Sequence, residues 1–445
     1  MKVTFILPAV GKKENDTYVD SWKMEPLNIQ TLSSLTPPDV EKEFFDDRIE
    51  HIDYDTKTDL VAITVETYTA KRAYSIASRF RKRGIPVILG GYHPTLVPSE
   101  AKEYADAILI GEAEGVWERI IEDARKKRLR KVYRGKRLPM EGVFPDRSIN
   151  GKRKYLPITL VETGRGCRFA CNFCSVSVFY ERTRRKKDIK KVVEEIERSG
   201  AKNVFFVDDN LAVEPAWLEK LAGELIPLKI RWAAQATVLV AKFPKLLDVL
   251  AKSGCKVLLI GFESLNPENL EAMNKRWNMS LGDYHELIKR IHSSGIFIYA
   301  TFVFGYPHDD MDTIKRTLDF ALRERFLIAA FNHLVPFPGT PLYSMLEKEG
   351  RLIYRKWWLD DGYRFGDVAF KPWRLSPEEL REGCYYARRV FFSSSGILRR
   401  FLGNPEVFKN PFMGFLFLTQ NLFGKKEFER RQGLPLGKNL DTGKK

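Results

Sequence analysis

What most constrains the fold is an alternation, repeated twice along the chain, of short Val, Ile and Leu runs with segments of helical periodicity. In the first series the runs are Val3 to Leu7, Asp59 to Val65, Val87 to Leu89 and Ala107 to Ile110, with helix-spaced apolar residues over Ala70 to Arg83 and Gly115 to Arg128. Such continuous apolar strands, separated by helices, belong to parallel sheets covered on both faces. Residues 1–130 are therefore expected to form a doubly wound, Rossmann- or flavodoxin-like α/β domain with a mostly parallel sheet. A second series opens at Pro157 to Thr163 and continues with strands at Asn203 to Val207, Ile230 to Ala236, Val257 to Phe262, Ile296 to Phe304 and Leu327 to Val335. Helices such as Ile189 to Arg198 and Met311 to Arg323 fill its intervals. Pro139, Pro145 and a basic run mark residues 131–155 as a linker. From 346 to 445 the pattern turns mainly helical, with Ser376-Pro377-Glu378-Glu379 as a capping-box start.

Three of the five cysteines, Cys167, Cys171 and Cys174, sit on one loop of the second series. Three thiolates hold a [4Fe-4S] cluster by three of its irons and leave the fourth open, whereas a closed electron-transfer cluster takes a fourth Cys. A structural zinc site would want four ligands, and no His lies near this loop. Cys255 and Cys384 stand alone and read as packing residues.

The Cys-x3-Cys-x2-Cys spacing, with Phe173 before the last Cys, resembles the cluster loop of the radical S-adenosylmethionine (SAM) enzymes. The resemblance implies a partial (β/α)6 barrel over residues 156–345, SAM chelated at the open iron, reductive cleavage to a 5'-deoxyadenosyl radical, and an electron donor such as flavodoxin or ferredoxin. Reactive groups of such barrels gather at the carboxyl ends of the strands. Transferred to this sequence, the SAM contacts are Phe173 beside the cluster, Asp208 and Asn210 toward the ammonium, Glu263 toward the ribose hydroxyls, and the turns at Gly305 and Gly339 against the adenine. The plainer alternative for Asp209 or Asn210 is a helix cap.

The first series ends its strands in loops containing Thr64, then Gly90-Gly91-Tyr92-His93-Pro94-Thr95, then Gly111-Glu112-Ala113-Glu114. Ligands of doubly wound sheets bind beyond these ends, and glycine lets backbone approach them closely. Followed by the cysteine loop, this order resembles the cobalamin-binding subgroup of radical SAM enzymes over residues 1 to about 345. The resemblance implies cobalamin contacts at Thr64, Gly90, Gly91, His93, Gly111 and Glu112. The Asp-x-His-x-x-Gly motif that places a His on cobalt is absent, since Pro8 to Lys13 occupies that region. Either cobalamin binds with no protein ligand to cobalt or the domain has lost it.

The implied reaction is methylation of an unactivated carbon of a small molecule or lipid. Cyclisation, rearrangement or lipid coupling without methyl transfer is the alternative within the subgroup. Transfer-RNA methylthiotransferases share the architecture but need further upstream cysteines, and no Cys precedes Cys167. A non-enzymatic corrinoid- or cluster-binding protein is the remaining rival.

The net charge of +16 is local: residues 119–190 hold 22 Lys and Arg against 7 Asp and Glu. The run Arg125 to Lys131 is expected to be a solvated linker, and Arg182 to Lys187 either a helix start or a surface facing a phosphate or carboxylate. Without a matching fold, the charge does not indicate nucleic acid. Sparse cysteines and no apolar run long enough to span a bilayer point to a cytoplasmic protein with at most peripheral membrane contact. The aromatic stretch Asn410 to Leu418 is expected to pack over the barrel mouth or else to meet lipid.

Overall fold

The computed structural model describes residues 1–14, 23–140 and 143–441. The chain forms two compact units. The first comprises Met1–Pro157, the segment Lys356–Phe365 and the end of the chain from Gly433; the second comprises Ile158–Arg355 and Gly366–Gln432.

The first unit is built on an all-parallel sheet of β1 (Lys2–Leu7), β2 (Glu41–Asp46), β3 (Leu60–Thr64), β4 (Val87–Gly90), β5 (Ala107–Ile110) and β6 (Val132–Arg134), in the order β2-β1-β3-β4-β5-β6. The four expected strands form its centre, where both faces are covered. The two unexpected strands are the edges, and β2, with the sequence Glu-Lys-Glu-Phe-Phe-Asp, carries the charges that discourage further pairing at an edge. Helix Ala70–Lys82 buries Ala73, Ile76, Ala77 and Phe80. From the same helix the buried Arg72 grips Asp47 with two hydrogen bonds of 2.9 and 2.8 Å and Asp441, near the chain's end, with two of 2.7 and 2.9 Å.

The second unit begins with β7 (Thr159–Val161) and a short antiparallel ribbon of β8 (Gly164–Arg165) and β9 (Arg185–Lys186). Then come β10 (Asn203–Phe206), β11 (Arg231–Ala236), β12 (Cys255–Glu263), β13 (Phe297–Phe304) and β14 (Ile328–His333). The main sheet runs β14-β13-β12-β11-β10-β7 and every pairing is parallel. Strands laid side by side in chain order, each followed by helix, give the partial barrel that the sequence implies. Capping fixes the helices: Asp188 accepts from Lys190 N before Ile189–Ser199, which Gly200 ends in a left-handed turn, and Asp310 caps Met311–Arg323. Phe262 stacks on Phe302 and meets Phe320 and Phe326 in the core.

The Ser376 to Glu379 capping box is present at the start of helix Pro377–Phe391. The aromatic stretch starts helix Pro411–Arg431, but not at the mouth. Phe417 packs against Phe297 at the start of β13, Asn421 donates to Leu327 O just before β14, and Arg231 at the start of β11 lies over Phe412. This helix therefore covers the amino ends of the strands, opposite to the expected end, because its buried residues find apolar partners there. In the run Arg182 to Lys187, Arg182 is exposed, whereas Arg184 pairs with Asp208, Lys186 with Glu214 and Lys187 with Glu195. Of the first basic run, Arg125 pairs with Asp39, Lys126 with Glu122, and Arg128 and Arg130 with Asp123. Among the described residues no helix is long and apolar enough to cross a membrane.

Candidate functional site

The cysteine loop leaves the carboxyl end of β7 and is held in place by backbone contacts that need no metal. Gly166 has φ 86°, and a Cβ there would lie 2.1 Å from Thr183 O, so only glycine lets the loop press against the chain entering β9. Its N–H donates to Asp209 at 2.8 Å. Between the second and third cysteines, Asn172 is tied to three segments. Its side-chain amide donates to Ala272 O and its backbone N–H to Met273 O, while its side-chain oxygen accepts from the buried Tyr306 hydroxyl at 2.8 Å. Asn172 O in turn accepts from Leu342 N.

Cys167, Cys171 and Cys174 are all partly exposed and line one cavity with Phe173, Asn210 and Glu263. Among the described residues no three His, Cys, Asp or Glu side chains close on a point as a single ion requires. Three thiols on one cavity supply the three ligands that a [4Fe-4S] cluster with an open iron takes. Burial pushes the Cys171 thiol up to about 12, against the opposing pull of the Lys275 ammonium, and raises Cys167 as well. Metal coordination takes the thiolate, so loading the loop releases protons.

Of the residues matched to SAM contacts, Phe173, Asn210 and Glu263 reach this cavity. Glu263 ends β12 with φ 64°, a left-handed conformation uncommon for a residue with a side chain and often found at functional positions. Its carboxylate accepts from Lys275 at 2.7 Å, and the same ammonium donates to Gly261 O at 2.8 Å. Asp208 is placed otherwise. Its oxygens take Thr163 N at 2.9 Å, Thr163 Oγ1 at 2.7 Å and Arg184 at 3.3 Å, so it fastens the end of β7 to the end of β10 with little left to offer a ligand. Burial raises Asp208 to about 6, with Arg184 pulling the other way. Asn210 lines the cavity, and its side chain also caps the turn at Leu211–Val213. Gly305 and Gly339 do not line the cavity. A Cβ on Gly305, at φ 112°, would meet Leu380 and Phe370 at 2.9 Å, so its glycine serves packing. Gly339, at φ 80°, makes the turn that lets Thr340 cap helix Pro341–Lys348.

Spacing gave no notice of Lys275, Gln235, Thr237 and Thr301, which also line the cavity. The Thr237 hydroxyl is buried and has no hydrogen-bond partner, which marks it as open to a ligand. Phe169 stacks on Trp277 at 4.1 Å along the same wall. The signal for the strand-end residues was their place just beyond β11 and within β13.

In the first unit the carboxyl ends of β3, β4 and β5 converge. Val65 N donates to Gly90 O and His93 N to Val65 O, while Thr95 donates to Gly91 O at 2.8 Å and accepts from Gly111 N at 2.9 Å. Thr64 accepts from Asn28 at this edge, and Glu112 is buried beside it. A Cβ on Gly91, at φ 105°, would come within 3.0 Å of Val65 O. His93 departs from the cobalamin role matched to it. It is fully buried and its Nε2 lies 3.0 Å from the Tyr74 hydroxyl and 3.1 Å from Glu100. Glu100 also accepts from Trp358 at 2.9 Å and pairs with Lys356 at 3.1 Å. Burial works against its charge, yet hydrogen bonds from His93, Trp358 and Lys356 prevail and hold Glu100 down to about 2.

Residues 161–321 match the model of the Radical SAM superfamily. The chain is 32% identical over 409 residues to the bacteriochlorophyllide d C-12(1)-methyltransferase of Chlorobaculum tepidum, covering 88% of each protein. It is 29% identical to the bacteriochlorophyllide d C-8(2)-methyltransferase of the same organism, covering 90% of this chain and 92% of that one. Its fold is similar to that of the radical SAM methyltransferase TsrM from Kitasatospora setae, solved with cobalamin and a [4Fe-4S] cluster bound, with a TM-score of 0.62 at 16% identity over 86% of this chain and 84% of that one.

Proposed function

The chain belongs to the radical SAM superfamily of enzymes, and from that premise we propose that it is a cobalamin-dependent methyltransferase acting on an unactivated carbon of a small apolar substrate. The observation that carries this reading is the convergence of three cysteines, Glu263 and Lys275 on one cavity at the carboxyl end of a parallel barrel. When bound, the cluster, SAM and cobalamin supply the radical and the methyl group. The protein's own residues position and shield. Asn172 and Gly166 fix the cysteine loop, Glu263 offers a carboxylate for ribose hydroxyls, and Thr237 offers an unpaired hydroxyl. Lys275 pairs with Glu263 and lends positive charge beside Cys171. Cobalamin is assigned to the first unit, at Thr64, Gly90, Gly91, Gly111 and Glu112, where a backbone-lined edge suits a bulky ring. His93 is committed to Glu100 and Tyr74, so this assignment gives cobalt no histidine from the loop.

The bacteriochlorophyllide methyltransferases above make a chlorin pigment the first substrate class to try. A low-potential donor such as flavodoxin or ferredoxin would supply electrons, and a reducing cytoplasm suits the cluster. The test is anaerobic reconstitution with iron, sulfide and hydroxocobalamin, followed by metal analysis and assay of methyl transfer from labelled SAM to a bacteriochlorophyllide. About four irons and about one cobalt per chain are expected. Four irons without cobalt would remove the methyl-transfer reading and leave radical chemistry of the cyclase or rearrangement kind.

A further inference from the structure

We propose that the carboxyl-terminal helices of the second unit form a docking surface for an anionic lipid bilayer. Helix Pro411–Arg431 is apolar on two sides through its first three turns. One side buries Met413 and Phe417 against the barrel. The other presents Phe415, Leu418, Leu422 and Phe423 to solvent, at 66%, 42%, 64% and 51% exposure. Helix Ser394–Leu402 adds the exposed Leu398 and Leu402, and helix Glu406–Lys409 adds Phe408. Phe401 joins the three helices through ring contacts with Phe408 at 5.4 Å and Phe417 at 5.7 Å. Seven of the twelve exposed large apolar side chains among the described residues thus fall within residues 398–423. Together they expose on the order of several hundred Å², as much as the largest patch on an ordinary monomer, and such patches mark interaction sites.

The body beneath is fixed, so the outward residues are a built surface. Arg400 is fully buried and donates to Phe326 O, Leu327 O and Phe391 O, and to the Asn421 side chain at 2.8 Å. Charge decides between lipid and a second copy. Apart from the buried Arg400, residues 394–431 hold six Lys and Arg against three Glu and no Asp, and Arg399, Lys409, Lys425 and Lys426 are all exposed. Two copies meeting through this face would oppose like charge, whereas an anionic headgroup layer complements it. The helix does not qualify as a span, so its apolar side would lie in the headgroup boundary. The surface covers the amino ends of the strands, which leaves the cysteine cavity at the other end unobstructed.

The experiment is co-sedimentation of the full-length protein with vesicles of phosphatidylcholine alone or with about one third phosphatidylglycerol. Wild-type protein should bind the anionic vesicles at least about tenfold better. The pair Phe415→Ser with Leu422→Ser should lose at least about tenfold. The pair Lys425→Ala with Lys426→Ala should lose about 25-fold at low salt, at about fivefold for each charge, and little at high salt. Far-UV circular dichroism and the melting temperature of both pairs should match wild type, and the solvent-facing charge pair decides the matter if the apolar pair disturbs folding. Wild-type protein that stays in the supernatant with both vesicles overturns the proposal. So does a concentration-dependent dimer in sedimentation velocity that Phe415→Ser with Leu422→Ser abolishes. None of these readouts needs iron, cobalamin or SAM, so the outcome is independent of the catalytic reading.

Discussion

Both units are built on a parallel sheet, yet the carboxyl edges of the two sheets are made of different material. In the first unit the edge is backbone: Gly91 and Gly111 laced together by Thr95, Gly90 bonded to Val65, and the one imidazole of these loops, His93, withdrawn into the core. In the second unit the edge is side chains: three thiols, the Glu263 and Lys275 pair, and the unpaired Thr237 hydroxyl. Parallel topology determines where a ligand sits, and the residue types at the strand ends determine whether the protein cradles it or does chemistry on it.

The contrast is open to attack at several points. Cys171→Ala should empty the second edge, taking iron from about four to below about one per chain and lowering SAM cleavage by at least about 10³-fold. Cobalamin retention should hold, and its loss in this variant would count against assigning cobalamin to the first unit's loops. Lys275→Met strands the buried Glu263 carboxylate, so stability should fall by about 3 kcal/mol. Adding Glu263→Gln should restore most of it in a denaturant melt, and failure to recover would show that Lys275 acts apart from Glu263. Gly91→Val strains a left-handed backbone and crowds Val65, with an expected cost of about 1–3 kcal/mol and weakened cobalamin retention at unchanged iron. The smallest effect is a pH dependence. Because Glu100 lies at about 2 in the folded chain against its ordinary 4.5, its stabilising contribution is full above 4.5 and fades as pH falls toward 2. Melting temperatures of Glu100→Gln should therefore lose part of the wild-type slope across that window and none above it.

How much of this was legible in the sequence follows from what each residue's signal depends on. The central strands were readable because strands covered on both faces are continuous Val and Ile runs, as Leu60–Thr64 and Val87–Gly90 show. The edge strands Glu41–Asp46 and Val132–Arg134 were not, since an edge tolerates charge and loses the apolar signature. The cysteines were readable because three irons demand three thiols within one loop. Lys275, Gln235 and Thr301 were invisible because they reach the cavity from separate strands and loops, with no fixed spacing between them. The partners of Asp208 were hidden for a related reason: spacing shows a carboxylate at a strand end but not that Thr163 and Arg184 engage it. The inward turn of Lys186 and Lys187 depended in the same way on distant partners, Glu214 and Glu195.

The clasp of Arg72 on Asp441 joins residues 369 positions apart within the first unit. On a ribosome, where chains grow at about 5–20 residues per second, roughly 20–70 s pass between the synthesis of the two partners. Through that interval the emerging first unit has Asp47 alone to pair with Arg72, and the Trp358 indole arrives late in the same wait. The part of the chain made first is thus among the last to be finished, because its closing segment from Gly433 is made after every residue of the second unit.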